Sequence, residues 1–292
     1  MTSMDDGEST FDLNGFERMS RGFASLHGCL PESALNVLAR EVIARLAAQR
    51  GALRDEAAHP ADPALIDTFC DALIGNAPNA AIDRITALRS NGATIDQVYL
   101  GVLAPAARRL GTWWDESRAS FAEVTIGVAR IYGIMYALRA EFPLPVDFER
   151  RRAAFASVPG EDHTLGVSMA ADLFRKEGWE IDLKLGHDHD GLVQALAIGD
   201  SPIIGLSAGR EEALPGLIRL IVALRVSNPR AYILVAGRYV AAHADTLALT
   251  GADAAASEVP EALAAMDLLW ERAMADIVTR AAAADEPLRR KT

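Results

Sequence analysis

The sequence predicts an α + α/β chain, a helical bundle followed by a five-stranded parallel sheet wrapped by helices. Three observations predict it. Up to residue 142 the apolar residues recur at helical spacing. Beyond Pro143-Leu144-Pro145-Val146, short apolar runs alternate with helical ones, the pattern of successive βα units. The composition, 292 residues with 50% apolar and 24% charged, supplies enough material for more than one core.

Taken in order, residues 1–30 are polar and Gly-rich and read as a flexible tail. Pro31-Glu32-Ser33 opens a run from Ala34 to Ala48 in which Leu35, Leu38, Val42 and Leu46 share one helix face. Residues 51–62 read as a loop. Helical runs follow at Pro63–Leu73, Ala80–Asn91, Thr94–Trp114 and Phe121–Phe142, each opening near a capping or breaking residue. The bundle therefore spans 31–142 and a linker 143–152, because paired prolines end a helix. The α/β domain spans 153–285. Its strands are Ala153–Val158, Trp179–Leu185, Ile203–Leu206, Ala231–Val235 and a weak Ala254–Ala256. Its helices are Thr164–Lys176, Leu192–Ile198, Leu214–Val226, Ala241–Thr250 and one from Val259 to about Ala283, ahead of a frayed tail at 286–292. Right-handed crossovers between parallel strands give the flavodoxin-like (Rossmann-type) order 2-1-3-4-5, with ligands at the carboxyl ends of the strands.

A formal net charge of −11 argues against a general polyanion-binding surface, which needs clustered positive charge. Direct DNA binding is not expected, and no helix-turn-helix pattern precedes residue 60. Two cysteines, Cys29 and Cys70, exclude a disulfide framework or a four-thiolate zinc site. The acidic start, Met1 to Thr10, is no signal peptide, and no uninterrupted apolar stretch is long enough to span a bilayer. The expectation is a cytoplasmic protein without a membrane partner.

The segment Pro159 to Gly166 joins the first strand to the first helix of the α/β domain. His163 there, two residues after Glu161, has the makings of a metal ligand with a carboxylate that fixes its tautomer; a capping loop with an incidental histidine is the other reading. Gly166 lets a bulky group lie close to the first helical turn. Small residues follow the third and fourth strands, Gly205-Leu206-Ser207-Ala208-Gly209 and Val235-Ala236-Gly237-Arg238. Together they describe a slot between adjacent strands, with Ser207 offering a hydroxyl. His187 and His189, an H-x-H without a third ligand, read as a solvated turn, and His27 with Cys29 forms an H-x-C in the tail. Arg108, Arg109, Arg130 and Arg139 read mainly as a solvated helix face.

These residues resemble the signature of the cobalamin-binding domain, in which D-x-H-x-x-G is followed by a Ser-containing loop after strand three and G-G after strand four. The counterparts are Glu161-x-His163-x-x-Gly166, Gly205-Leu206-Ser207 and Ala236-Gly237, with Glu for Asp and Ala for the first Gly of the pair. The resemblance implies that His163 is the lower axial ligand of cobalt and that the nucleotide tail of cobalamin enters the slot lined by Ser207, Gly209, Ala236 and Gly237. In the bundle, Leu110-Gly111-Thr112-Trp113-Trp114 is similar to the L-G-x-x-W element that covers the upper face of the corrin. It implies that Trp114 lies over the ring, while Trp113 reads as core. Light-sensing relatives and corrinoid carriers commonly place Glu-His on the next helix; here Val124-Thr125 stand there.

The stretch Ser120–Phe142 and the preceding Trp113 to Glu116 resemble the AerR/PpaA antirepressors of photosynthetic purple bacteria, a similarity that covers residues 94–257. It implies a light-responsive, non-enzymatic regulator that binds cobalamin and acts on a DNA-binding repressor of photosynthesis genes. The alternatives are a corrinoid methyl carrier of a methyltransferase system and a haem or bilin sensor using His163. The native upper ligand (hydroxo or adenosyl) and the oligomeric state stay open.

Overall fold

The computed structural model describes residues 62–142, 151–161, 164–199, 201–240, 243, 247 and 249–289, the last nine as backbone only. The tail with His27 and Cys29, the expected helix at 34–48, the Pro143–Val146 linker, His163 and most of the expected helix at 241–250 lie outside them. All described residues belong to one compact unit, Ala57–Thr292.

The first half is helical: α1 (Pro63–Ile74), α2 (Ala80–Ser90), α3 (Ile95–Val98), α4 (Ala104–Asp115) and α5 (Phe121–Leu138). α3 and α4 belong to one helical stretch, as the periodicity predicts, but a π-turn at Tyr99–Leu103 joins them. The reason is Pro105. A proline in a regular α-helix loses the bond to the residue four before it and clashes with that carbonyl, whereas here the Ala104 N–H reaches back to Tyr99 O in a wider turn. Capping boxes start two of the helices, Thr94 with Gln97 at α3 and Ser120 with Glu123 at α5. The Ser120 backbone and hydroxyl hold the Glu123 carboxyl below its ordinary range.

The second half alternates β1 (Arg152–Ser157), α6 (Leu165–Lys176), β2 (Glu180–Lys184), α7 (His189–Gly199), β3 (Ile203–Ser207), α8 (Leu214–Ser227), β4 (Tyr232–Ala236), β5 (Ala254–Ala256) and α9 (Val259–Arg289). The sheet is parallel throughout in the order β2-β1-β3-β4-β5, the flavodoxin-like arrangement. α7 and α8 cover one face through Leu192, Leu196, Leu217, Leu220 and Leu224; α6 and α9 cover the other through Phe174, Leu263 and Met266. Several boundaries differ from expectation by a few residues: β1 takes in Arg152, α5 ends at Leu138, α7 begins at His189 rather than Leu192, and the helical backbone of α9 runs to Arg289.

The bundle and the sheet domain share a core. Tyr99, Leu103, Leu110, Trp113, Ile131 and Met135 pack in one cluster with Met169 and Leu173 of α6, while Val167, Ala171 and Phe174 on the same helix face the sheet. Trp113 is core, as read from the sequence. At the junction Asp172 is fully buried. It accepts from Tyr99 Oη at 3.1 Å, Arg139 Nε at 2.9 Å and Arg175 Nη1 at 3.1 Å. Burial, and after it the Asp172 charge, raise the Tyr99 phenol far above its ordinary value, so it stays a donor. Lys176 adds an ion pair with Asp96 at 2.6 Å.

The reading of the helical arginines as a solvated face is corrected for three of them. Arg109 pairs bidentately with Asp67, Arg130 donates to the Leu73 and Gly75 carbonyls at the end of α1, and Arg139 holds Asp172. Each satisfies a carboxylate or an orphan helix-end carbonyl, a demand periodicity does not reveal. The stretch Phe121–Glu141 is long and apolar enough to cross a membrane, with mean hydropathy 1.3. It lies in the bundle, with Gly127, Ile131, Ile134, Met135 and Leu138 buried against its neighbours.

Candidate functional site

The strand order places the ends of β1, β3, β4 and β5 side by side, and the register fixes which residues meet there. Ser157 pairs with Ser207, Ser207 with Ala236, and Ala236 with Ala256. Four small side chains stand in a row at the carboxyl edge of the sheet, in a fold that binds ligands at that edge. Ser157, buried at the end of β1, was missed in the sequence; its signal was a hydroxyl directly after the apolar run Ala153–Ala156.

The backbone beyond the strands is held closely. Val158 N–H donates to Ser207 O, Ala208 N–H to Ala236 O, and Gly237 N–H to Ala256 O. The β3 and β4 loops therefore run in contact: a Cβ on Gly237 would lie 2.0 Å from Ala208 O, so only glycine fits. Gly166 is the reverse case. It stands on the first turn of α6, and a Cβ there would meet nothing within 4 Å, so the space above it is free for a ligand.

Glu161 is the buried acid of the site, its side chain 1% exposed. Its Oε2 accepts from Gly209 N–H at 3.2 Å and its Oε1 lies 3.5 Å from Arg210 Nε. The carboxylate thus ties the β1 loop to the β3 loop across the carboxyl edge. His163 itself, like Asp162, lies outside the described residues.

The bundle reaches the same edge. Tyr132 Oη is 3.2 Å from Thr164 Oγ1 just before α6, and Arg139 meets Asp172 further along, so α5 runs beside and parallel to α6. α6 begins at the carboxyl edge. The residues of α5 before Tyr132 consequently extend about 16 Å beyond the start of α6, at 1.5 Å per residue. Of the residues spaced four apart on this helix, Val124, Val128 and Tyr132, it is Tyr132 that meets the α/β domain. Val124 packs half-buried on the bundle core. Trp114 is 51% exposed and meets Phe121, 73% exposed, edge-on with ring centroids 6.5 Å apart. Phe121 was not singled out in the sequence; it lies one helical turn before Thr125.

Further round the edge, Arg108 of α4 has Arg238, after β4, and Glu258 as charged neighbours. Partial desolvation and then the like charge of Arg238 lower its affinity for the proton, against Glu258. Of the pair read as a solvated turn, His187 stands in the loop after β2 but His189 opens α7, and no group of three metal-ligating side chains occurs among the described residues.

These features define a class: a doubly wound α/β domain with a ligand site at its carboxyl edge and a helical cap joined to its first helix. Residues 151–267 match the family model described as the B12 binding domain. The match supports a cobalamin-binding domain over those residues, and the cofactor is cobalamin. An uncharacterized 20.5 kDa protein in the bchF-crtJ intergenic region of Rhodobacter capsulatus is 27% identical over 170 residues, which make up 56% of this chain and 88% of that protein. The solved structure of the monomethylamine corrinoid protein of Methanosarcina barkeri superposes with a TM-score of 0.58 at 15% identity, over 69% of this chain and 96% of the other. That likeness is one of fold.

The residues present fit a corrinoid. The row Ser157, Ser207, Ala236 and Ala256 puts only small side chains at the edge, nothing stands over Gly166, and the exposed Trp114–Phe121 pair offers an aromatic surface beyond it.

Proposed function

We propose that this chain is a cobalamin-dependent regulator that acts by contact with a DNA-binding repressor and carries out no catalysis of its own. The observation that carries the reading is the shared core between cap and sheet domain, with Asp172 at its centre. An event at the carboxyl edge reaches the outer helices through packed residues, as a switch working by protein contact requires. The relative encoded between bchF and crtJ supports the context of photosynthesis-gene control. Val124-Thr125, where carriers and adenosylcobalamin photoreceptors commonly have Glu-His, leaves α5 without two polar groups for chemistry at an upper ligand.

In this reading His163 would bind the cobalt, Glu161 would fix the loop geometry, and Ser207, Gly209, Ala236 and Gly237 would line the slot for the nucleotide tail. Trp114, Val124 and Phe121 would cover the opposite side. When bound, cobalamin supplies a cobalt–carbon or cobalt–oxygen bond whose state depends on light and ligand supply. The protein responds only if its two arrangements bind those states with different affinity.

The test is absorption spectroscopy of protein loaded with hydroxo-, methyl- and adenosylcobalamin, in the dark and after illumination, with a repressor–DNA mobility assay beside it. The expected result is a cobalamin spectrum altered by His163→Ala and a light- or ligand-dependent change in repressor–DNA binding. Methyl transfer to a thiol acceptor in the dark would instead establish a corrinoid carrier, the reading the Methanosarcina fold neighbour favours. Indifference to every cobalamin with tight haem uptake would replace both.

A further inference from the structure

α5 is held to the α/β domain at two places of different character. Near its end it is anchored by a buried ionic cluster, in which Arg139 and Tyr99 both grip Asp172 and Leu138 packs in the same core. Two turns earlier a single hydroxyl contact, Tyr132 Oη to Thr164 Oγ1 at 3.2 Å, links it to the residue that follows His163. Before Tyr132 the helix runs on past α6, and Phe121, Ala122, Thr125, Ile126 and Ala129 are exposed there. α5 is therefore tied to the α/β domain at Asp172 and touches the ligand loop at Thr164, while its first half packs on α1 and α4 through Gly127 and Val124.

Thr164 is suited to report a movement of α5. Its carbonyl accepts from Ser168 N–H at 3.1 Å and from Ser168 Oγ at 2.9 Å, so its backbone is fixed to the first turn of α6. Its hydroxyl makes no capping bond to that helix and is left for Tyr132.

We propose that Tyr132 is a positioning residue that sets the loop bearing the lower axial ligand and transmits displacement of the cap helix to it. The inference rests on the reading of His163 as that ligand. Displacement of the cap that carries Trp114 and Phe121 is then felt at the lower-ligand loop as well as from above. Upper-face and lower-face events are coupled through one hydrogen bond.

The test uses full-length protein loaded with cobalamin and reduced to the cob(II) state. Electron paramagnetic resonance reports an axial nitrogen through its superhyperfine splitting, a signature that a merely structural contact does not move. Tyr132→Phe and Thr164→Val each remove one hydroxyl and keep the shape, and neither removes a helix cap. Each is expected to retain cobalamin stoichiometrically and to raise the ratio of histidine-off to histidine-on cobalt about fivefold, the factor that one neutral hydrogen bond commands. The double variant is expected to match the singles, because both remove the same bond. An unchanged ratio in both single variants, or fully additive shifts in the double, would overturn the proposal. His163→Ala separates the two levels. If it abolishes the nitrogen splitting while the hydroxyl variants leave it intact, only the positioning role fails; if it leaves the splitting intact, the axial-ligand reading fails and takes the positioning role with it.

Discussion

Asp172→Ala is the perturbation from which the union of cap and sheet domain can be measured. The carboxylate is fully buried and accepts from two guanidinium groups and a phenol. Removing one member of a buried ionic cluster costs about 3–5 kcal/mol when the remaining charge is trapped without a partner. The side chains left behind are not equally trapped. Arg139 is 41% exposed and Arg175 31%, so both can turn to water. The Tyr99 hydroxyl is fully enclosed and keeps only the Met135 carbonyl at 3.4 Å, a long contact. The cost therefore falls at the low end, about 3 kcal/mol, or roughly 150-fold in the unfolding equilibrium. The assay is a urea titration followed by circular dichroism and by tryptophan fluorescence, with Trp113 in the bundle core and Trp179 in the sheet core. Wild-type protein should unfold the described unit in one transition, because Met169 and Leu173 belong to both halves. Asp172→Ala should shift the midpoint down and separate the two probes. A variant within about 1 kcal/mol of wild type, with the probes still coincident, would refute the reasoning.

Gly237→Ala should destabilise the carboxyl edge by about 3 kcal/mol, the upper end for overpacking, because the clash is with backbone at Ala208 rather than with a movable side chain; calorimetry of the apo protein checks the cost and cobalamin titration the accompanying loss of binding. Cys70 is buried, with desolvation pushing its thiol up to about 12, so native protein at pH 8 should leave it unmodified by a maleimide and urea should expose it, as peptide mass mapping would record. Acid should act through Asp67 and Glu123, held below their ordinary 3.8 and 4.5, Asp67 by its hydrogen bond to Arg109 and Glu123 by its bonds to Ser120. Their folded forms release protons more readily than the unfolded chain, so the stability they contribute is complete above those ordinary values and is lost as pH falls through the folded ones. Asp67→Asn and Glu123→Gln should each flatten that part of a stability–pH curve, and an unchanged acid limb in both would contradict the assignment.

Legibility in the sequence followed the range of the interaction. The runs at Pro63–Leu73 and Leu214–Val226 gave helices within a residue of the observed α1 and α8, since a single apolar face is a local property. The placement of Ser207, Ala236 and Gly237 together was also legible, because parallel order puts successive strand ends at one edge. Asp172 was not. A charged residue beside Met169 and Leu173 on an apolar face was its only signal, and its partners Tyr99 and Arg139 lie 73 and 33 residues away. The bond from Glu161 to Gly209 spans 48 residues and was equally hidden.

The sequence by itself determined the elements, the strand order and the chemistry available at the carboxyl edge, because each follows from short-range periodicity or from the handedness of a crossover. Tertiary structure alone decided that cap and sheet share a core, that three of the helical arginines serve internal acceptors, and that α5 reaches past α6 with Tyr132 against Thr164. Those outcomes depend on which distant side chains satisfy one another once water is excluded, a condition that exists only in the packed molecule.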